Sequence, residues 1–398
     1  MQLTPNSPKS INNSTSTTIA DNTLPENIIC FSHLRWDFVF QRPQHLLTRL
    51  SNTFNVYFIE EPIFDATDQE YYTFTKRDKN LWVMVPHLVG GLSHEENVAT
   101  LKSMFGRYMD NKQLSNYIFW YYTPMALNFS NGYDPALIIY DCMDELSAFK
   151  FAPAELKGYE KELMDKADLV FTGGQSLYEA KKHQHNNIHA FPSSIDRKHF
   201  LKARSYNECP ADQIDTDKLK LGFYGVLDER FDINLIKEIA DARPDWQIIL
   251  IGPVVKIDPA SLPQNSNIHY LGAKNYQELP EYMATWDMAL IPFMLNESTR
   301  FISPTKTPEY LAAGLPVIST PIRDVVNPYG TKNLVHIAAT GAEFVAAIEK
   351  ELQTTAKETW RKKVDTFLST NSWDITCNNM LNLMKKAAYK NLYMPIAQ

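Results

Sequence analysis

The chain has 398 residues, 44% hydrophobic and 21% charged, with a formal net charge of −7 at pH 7. Because a single hydrophobic core stops growing at about 250 to 300 residues, this length predicts two domains of ordinary globular composition. The acidic balance argues against nucleic acid as a partner, since proteins that bind the phosphate backbone normally carry a basic surplus or stripe.

The N-terminal stretch, residues 1–26, is polar and lacks the apolar core of a signal peptide, so we predict a disordered tail there. No run approaches the ~20 apolar residues of a membrane span. The four cysteines are widely separated, which predicts neither a zinc site nor a disulfide framework and fits a reduced, cytoplasmic setting. They are Cys30, Cys142, Cys209 and Cys377.

The first half of the chain alternates apolar, β-rich runs with segments of helical spacing. Strands that are apolar on both faces and alternate with helices are typical of a parallel sheet covered on both sides. We therefore predict a doubly wound, Rossmann-like α/β domain over residues 27–203. Its predicted strands are NIICFS (27–32), NVYFIEEP (55–62), LWVMVPH (81–87), YIFWYY (117–122), ALIIYDCM (136–143), DLVFTGG (168–174) and IHAFPSS (188–194).

A polar stretch without apolar periodicity, residues 204–218, is predicted to be a linker. The alternation then resumes and predicts a second Rossmann-like domain over residues 219–372, facing the first across a cleft. Residues 373–398 have helical spacing, and we expect them to pack back on the first domain. The strands predicted in the second domain are KLGFYGVL (220–227), WQIILIGP (246–253), IHYLG (268–272), DMALIPF (287–293), LPVISTP (315–321) and LVHIAA (334–339).

In open α/β sheets, ligands bind outside the carboxyl ends of the strands. The loops that follow strands of the second domain contain Arg230, Gly252 and the long polar segment NESTRFISPTKT. The segment leads into SPTKTPEYLAAGLPVISTP, residues 303–321, where Thr307 is predicted to cap a short helix that Gly314 ends.

A helix start preceded by Lys306 favours a phosphate, because free N–H groups and a full positive charge lie side by side. Glu309 would repel phosphate and is better suited to accept hydrogen bonds from the hydroxyl pair of a sugar. A nucleoside diphosphate satisfies both residues. The plainer alternative stays open: Glu309 stabilises a first helical turn by ~0.3 to 1 kcal/mol through the helix dipole alone, and Lys306 is a surface lysine.

At this point the sequence resembles the GT-B glycosyltransferases, specifically the retaining kind of glycosyltransferase family four. A glutamate that opens a short helix before an apolar strand, EYLAAGLPVIST, matches their signature. Within that superfamily the chain is most similar to a bacterial subgroup found with, or fused to, UDP-galactopyranose mutase. The resemblance runs from about Asn27 to Gly330. It is carried by FSHLRWDFVFQRPQHLL, YDCMDELSAF, ADLVFTGGQSLYEAK, FPSSID, GPVVKIDPASLP and NESTRFISPTKTPEYLAAGLPVISTPIRDVV.

The resemblance implies that Glu309 holds the nucleotide ribose and that Lys306 and Arg230 hold the diphosphate. It also implies a nucleotide-sugar donor, with a UDP-sugar favoured, and transfer with retention of configuration. We predict no cofactor, and no metal, because no DxD-type motif is present. The chain departs from the superfamily at Phe301, where a glutamate usually contacts the donor sugar. The predicted donor-binding residues are Arg230, Gly252, Ser303, Thr305, Lys306 and Glu309.

The first domain is predicted to bind the acceptor. His33 has the titration range of a general base, Trp36 suits stacking on a sugar ring, and Asp141 and Asp144 suit hydrogen bonds to sugar hydroxyls. A structural histidine, a core tryptophan and helix-capping aspartates are the competing interpretations. The predicted catalytic residues are His33, Asp141 and Asp144, and the predicted acceptor-binding residues are Arg35, Trp36, Arg42, Gly173 and Gly174.

The sequence thus predicts a cytoplasmic glycosyltransferase of cell-envelope or exopolysaccharide synthesis that acts on a saccharide or lipid-linked acceptor. A lipid-linked acceptor would bring the protein to the inner face of the membrane as a peripheral protein. The oligomeric state is not predicted. The alternatives are an epimerase that uses His33 with Asp141, a phosphorylase, and a non-catalytic nucleotide or sugar binder. A periplasmic-type solute binder is disfavoured by the missing export signal.

Overall fold

The computed structural model describes residues 24–114, 116–214 and 216–393. Most of the predicted disordered tail, residues 1–23, lies outside these ranges. Two α/β units follow one another, each built around its own sheet. We call the nine-stranded sheet and the helices packed on it the first unit, and the six-stranded sheet with its helices the second unit.

The first sheet has the order β3-β5-β2-β1-β6-β7-β8-β9, with β4 added on β5. All its pairs are parallel except β4 with β5. The central strands are buried on both faces, as their continuous apolar runs predict. The strands are β1 (Asn27–Phe31), β2 (Asn55–Ile59), β3 (Ile63–Ala66), β4 (Tyr71–Asp78), β5 (Leu81–Val89), β6 (Tyr117–Tyr121), β7 (Leu137–Cys142), β8 (Leu169–Thr172) and β9 (Ile188–Ala190).

Helices cover both faces of this sheet. One face buries Leu46 and Leu47 of the first helix, and the other buries Phe105 and Leu163. The helices of this part of the chain are α1 (Arg42–Leu50), α2 (His94–Lys112), α3 (Leu127–Ser130), α4 (Leu156–Lys166), α5 (Gln175–Lys181) and α6 (Arg197–Phe200).

The second sheet is entirely parallel, in the order β12-β11-β10-β13-β14-β15. Its strands are β10 (Lys220–Tyr224), β11 (Gln247–Ile251), β12 (Ile268–Tyr270), β13 (Met288–Ile291), β14 (Val317–Ser319) and β15 (His336–Ile337). The remaining helices are α7 (Ile233–Ala242), α8 (Leu279–Met283), α9 (Lys306–Ala313), α10 (Arg323–Val325), α11 (Gly341–Leu352), α12 (Lys357–Leu368) and α13 (Trp373–Tyr393).

Helix α13 lies against the first unit although it follows the second in sequence. It contacts α1, β7 and β8, and the side chain of Trp373 is fully buried in the core that contains Ile28 and Leu46. The α/β fold with two parallel sheets is therefore as predicted. Strands β3 and β4 were not predicted.

The start of α9 differs from the prediction. The helix begins at Lys306 with Thr305 in the capping position, so the assignment of Thr307 as the cap was wrong. The side chain of Thr307 is instead buried inside the first turn. Pro308 fits the third helical position because the N–H groups of the first turn have no acceptor within the helix. The N–H that proline lacks is therefore not missed there. Gly314 ends the helix in the left-handed region with φ of 88°, as predicted.

Candidate functional site

A cavity of about 500 Å³ lies between the two units. Loops that follow the carboxyl ends of β1, β7 and β8 form one wall, and loops that follow β10, β11 and β13 form the other. This is the position at which open parallel sheets bind ligands, and the volume is in the usual range for small-molecule sites. Ten predicted site residues line the cavity together: Trp36, Arg42, Asp144, Gly173, Arg230, Gly252, Ser303, Thr305, Lys306 and Glu309.

Lys306 carries the least neutralised charge on the wall formed by the second unit. Its ammonium group lies 5.7 to 5.9 Å from the ring centroids of Phe223, Tyr224 and Phe293. Among the described residues, no carboxylate oxygen lies within 4.0 Å of this nitrogen. Burial lowers the pKa of Lys306, whereas the negative charge of Glu309 raises it. A lysine held in this way is available to pair with an anionic ligand.

Gly225, directly after β10, makes room for the lysine. Its φ is 140°, and a Cβ atom added there would lie 2.4 Å from Cε of Lys306. Gly252, after β11, has φ of 144° and its Cβ would lie 1.9 Å from the carbonyl oxygen of Gly225. The two loops therefore cross closely enough that both positions require glycine.

Glu309 lies in the first turn of α9 and is only 4% exposed. The hydroxyl of Tyr224 donates a hydrogen bond to its Oε2. Burial raises the pKa of Glu309 to about 7, and the hydrogen bond from Tyr224 and the charge of Lys306 oppose that rise. The carboxylate thus retains acceptor capacity at the edge of the cavity.

Arg230 differs from Lys306 because it already has a partner. Its Nε and Nη2 atoms donate to Asp228 at 2.6 to 3.1 Å. Its guanidinium group also lies 5.4 Å from the ring centroid of Phe149, which belongs to the first unit. Arg230 is held rigidly at the cavity, but much of its charge is balanced by Asp228.

On the wall formed by the first unit, Asp144 is the cavity-lining carboxylate among the predicted residues. Burial raises its pKa to about 6, and the positive charges of Arg230 and Arg42 oppose that rise. Trp36 lines the cavity. Its ring also packs edge-on against Phe58, with the ring centroids 5.1 Å apart. Trp36 thus belongs to both the cavity wall and the core. Asp144 is therefore placed to accept a hydrogen bond from a ligand hydroxyl.

Asp141 is fully buried, and Arg42 donates to both of its oxygens at 2.8 to 3.1 Å. The third nitrogen of Arg42 donates to the carbonyl of Phe191. The pair is thus a buried ion pair in which Arg42 lines the cavity and Asp141 does not. This placement disfavours the predicted contact between Asp141 and a sugar and leaves Arg42 few free donors for an acceptor.

Three further predicted residues do not line the cavity. Burial lowers the pKa of His33 to about 4, which does not suit a general base at neutral pH. Arg35 donates to Glu60 and to the carbonyls of Glu61 and Pro62. Gly174 lies against Asp324 of the second unit. These residues shape the loop walls and do not face the ligand space.

Sequence reasoning missed several residues of the cavity. Tyr224 holds Glu309, Gly225 accommodates Lys306, and Tyr276 lines the wall formed by the second unit. A signal for Gly225 was available, because a glycine directly after an apolar strand often allows close approach to a ligand. A tyrosine within an apolar strand gives no comparable signal.

In the described part of the chain, no group of three His, Cys, Asp or Glu side chains is arranged to hold a metal ion. No helix within the same ranges is long and apolar enough to cross a bilayer.

Comparison with known proteins gives three results. Residues 219–354 match the family model described as glycosyl transferases group 1. The chain is 25% identical over 274 residues to TuaH of Bacillus subtilis strain 168, whose name assigns it to teichuronic acid biosynthesis as a glycosyltransferase. The match covers 64% of this chain and 68% of TuaH.

Solved structures resemble the whole fold. An E. coli trehalose-6-phosphate structure with bound UDP-2-fluoro glucose has a TM-score of 0.66 at 11% identity and covers 90% of this chain and 99% of its own. Sucrose-phosphate synthase from Thermosynechococcus elongatus has a TM-score of 0.66 at 14% identity, and the match covers 92% of this chain and 99% of the synthase chain. Anabaena HepE in complex with UDP and glucose has a TM-score of 0.61 at 14% identity, and the match covers 89% of this chain and 98% of the HepE chain. At these identities the likeness concerns the fold, and it confirms the predicted GT-B architecture.

Proposed function

We propose that this chain, a glycosyltransferase of the GT-B fold, binds a UDP-sugar in the cavity between its units and transfers the sugar to a hydroxyl held by the first unit. The observation that carries this proposal is the pairing of an uncompensated lysine with a buried glutamate at the start of α9. The lysine suits the diphosphate, and the glutamate suits the ribose hydroxyls. The neighbours solved with UDP-2-fluoro glucose or UDP support the same donor class, and the name of TuaH supports glycosyl transfer.

The second unit would supply the stabilisation of the leaving group. As the bond between sugar and diphosphate breaks, negative charge grows on the phosphate oxygens. Lys306 and the free N–H groups at the start of α9 stabilise that charge more than they stabilise the bound donor, which lowers the barrier. Because these groups supply positive charge themselves, we propose that transfer needs no metal, and we expect turnover to be unchanged by EDTA.

The first unit would orient the acceptor. Asp144 is proposed to accept a hydrogen bond from a neighbouring hydroxyl of the acceptor sugar, with Trp36 beside the ring, so the proton of the attacking hydroxyl is left for the departing phosphate. We propose a front-face reaction with retention, in which the departing phosphate takes the proton of the acceptor. NMR assignment of the new anomeric centre tests this, since inversion would exclude it and favour Asp144 as a base.

The proposed acceptor is a saccharide or lipid-linked saccharide of a cell-envelope or exopolysaccharide. The teichuronic acid role in the name of TuaH supports this class. A lipid-linked acceptor would place the protein at the inner face of the membrane as a peripheral protein. The resemblance to the subgroup found with UDP-galactopyranose mutase stays a prediction.

An epimerase of the same fold is the main alternative. It was predicted to use His33 with Asp141, but neither residue lines the cavity, and Asp141 is bound on both oxygens by Arg42. Incubation with UDP-GlcNAc alone distinguishes the two functions, because an epimerase would change the sugar without any acceptor.

The deciding experiment is calorimetric titration of UDP, GDP and dTDP into the wild type, Lys306→Ala and Glu309→Ala. We expect UDP to bind best and each variant to lose ~1.5 to 3 kcal/mol, the usual size for hydrogen bonds to charged groups. Lys102→Ala and Glu281→Ala change exposed residues of the same types and should bind like the wild type. If no nucleotide binds, or if all four variants behave alike, the proposed donor site is wrong.

A further inference from the structure

Two sets of hydrogen bonds join the units beside the segment that leads into α9. Asp324 of the second unit accepts from the backbone N–H of Ser176 at 3.0 and 3.4 Å. The hydroxyl of Ser193 donates to the carbonyl of Ser303 at 2.5 Å, and the Ser193 N–H donates to the Ser303 hydroxyl at 3.4 Å. Asp324 and Ser176 are both buried, so water does not compete freely for these bonds.

Phe301 reinforces the same junction. Its side chain packs against the core of the first unit that contains Leu177 and Tyr140, although Phe301 belongs to the loop after β13. The residue at the position where the superfamily usually has a sugar-binding glutamate is therefore used as an apolar contact between the units.

Gly174 shows how tightly the units meet. Its φ of −162° is extended backbone that any residue adopts, so the conformation does not require glycine. A Cβ atom, however, would lie 2.5 Å from Oδ2 of Asp324 and 3.1 Å from Cβ of Ser303. An alanine at this position would therefore displace the Asp324 carboxylate from its contact with the first unit.

We propose that these residues form an interdomain clasp, made of Phe301, Ser303 and Asp324 of the second unit with Gly174, Ser176 and Ser193 of the first. The clasp holds the segment between β13 and α9 against the first unit. Asp324 is then a positioning residue for sugar transfer. The effect on transfer rests on the proposed function, whereas the contacts between the units do not.

The clasp and the predicted donor contacts share only Ser303, which lines the cavity and is left unchanged in the variants tested below. Gly225, Lys306 and Glu309 all belong to the second unit and do not touch Asp324 through any described contact. Opening the clasp should therefore leave the affinity for the nucleotide nearly unchanged. It should also move the wall formed by the first unit away from the donor, so transfer should slow.

The test compares Asp324→Ala and Gly174→Ala with Arg323→Ala, an exposed neighbour, in full-length protein. Spin labels at the exposed positions Lys161 and Asn234 report the distance between the units. We expect a single narrow distribution in the wild type and Arg323→Ala, and a longer, broader one in the two clasp variants. Asp324→Asn, which keeps a neutral acceptor, should restore part of the narrow distribution.

Calorimetry with UDP and UDP release from UDP-glucose complete the test. Clasp variants should bind UDP within about twofold of the wild type, while kcat for UDP release falls about tenfold, as expected when one hydrogen bond to a charged group is lost. Unchanged distances in both clasp variants overturn the proposal, as does a loss of UDP affinity equal to the loss of kcat. If the wild type itself fails to bind UDP, the proposed function is wrong, and the distances alone decide whether the clasp exists.

Discussion

Individual residues at the cavity differ in whether their charge is already paired. Arg230 has Asp228, and Arg42 has Asp141, but Lys306 has no carboxylate partner among the described residues. Arg42 was predicted to bind the acceptor and Asp141 to be catalytic, each independently of the other. They are 99 positions apart, and no local sequence pattern shows that the two side chains bind each other. Residue types at the cavity could be predicted, but their pairing could not.

Glu309 should make donor binding pH-dependent. Burial holds its pKa at about 7, so the stability that the protonated carboxyl contributes to the free protein is lost as pH rises through about 7. Above that pH the charged carboxylate is the stronger acceptor for ribose hydroxyls. We expect UDP-glucose to bind more tightly, and to raise Tm more, at pH 8 than at pH 6.

The control for this pH effect is Glu309→Gln, which removes the titration while keeping the shape of the side chain. UDP-glucose is suitable because its diphosphate does not titrate in this range. Three other titratable side chains interact with the carboxyl of Glu309, namely Tyr224, Lys306 and Asp196. If the pH dependence persists in Glu309→Gln, one of these groups is responsible and the assignment to Glu309 is wrong.

The buried pair of Arg42 and Asp141 should be structural. Arg42→Met leaves a fully buried carboxylate without its partner, which typically costs ~3 to 5 kcal/mol of the free energy of unfolding. The double variant Arg42→Met with Asp141→Leu should cost less than the single one. Urea denaturation followed by circular dichroism measures both, and a single variant within 1 kcal/mol of the wild type would contradict the structural role.

At the scale of elements, strands that are buried on both faces could be predicted and strands at the edge could not. The central strand β6 is a continuous apolar run that is wholly buried. By contrast, β4 reads YYTFTKRD and is exposed along nearly its whole length, so it has neither an apolar run nor a clean alternation. Its position is fixed by antiparallel pairing with β5, which is a tertiary contact.

The crossing of the β10 and β11 loops sets the position of Lys306. Gly225→Ala would introduce a Cβ atom 2.4 Å from Cε of Lys306 at a φ of 140°. We expect the lysine to be displaced and UDP affinity to fall about tenfold, with a folding cost of ~1 kcal/mol or more for the strained backbone. Calorimetry and urea denaturation measure the two effects.

Gly158→Ala is the matched control, because Gly158 lies in α4 with no atom near its would-be Cβ. Alanine there should stabilise the protein by ~0.5 to 1 kcal/mol and leave UDP binding unchanged. Equal UDP affinity in both glycine variants would show that the lysine does not depend on Gly225.

For the whole molecule, the two-unit architecture could be predicted from the alternation of apolar strands with helical segments. The contacts between the units could not be predicted. The clasp is made largely of small or polar residues, such as Gly174, Ser193 and Ser303, in irregular loops. Such residues are common in any loop, so only the folded arrangement distinguishes those that join the units.

Helix α13 ties the end of the described chain to the first unit through Trp373. Its indole is fully buried, stacks on His45 with ring centroids 4.6 Å apart, and joins the core beneath β1 and β6. Trp373→Ala should lower the free energy of unfolding by ~3 to 5 kcal/mol, because it leaves a large cavity. Ile375→Ala, 42% exposed on the same helix, should change it by no more than ~0.5 kcal/mol. If urea denaturation finds the two variants equally stable, Trp373 does not tie α13 to the first unit.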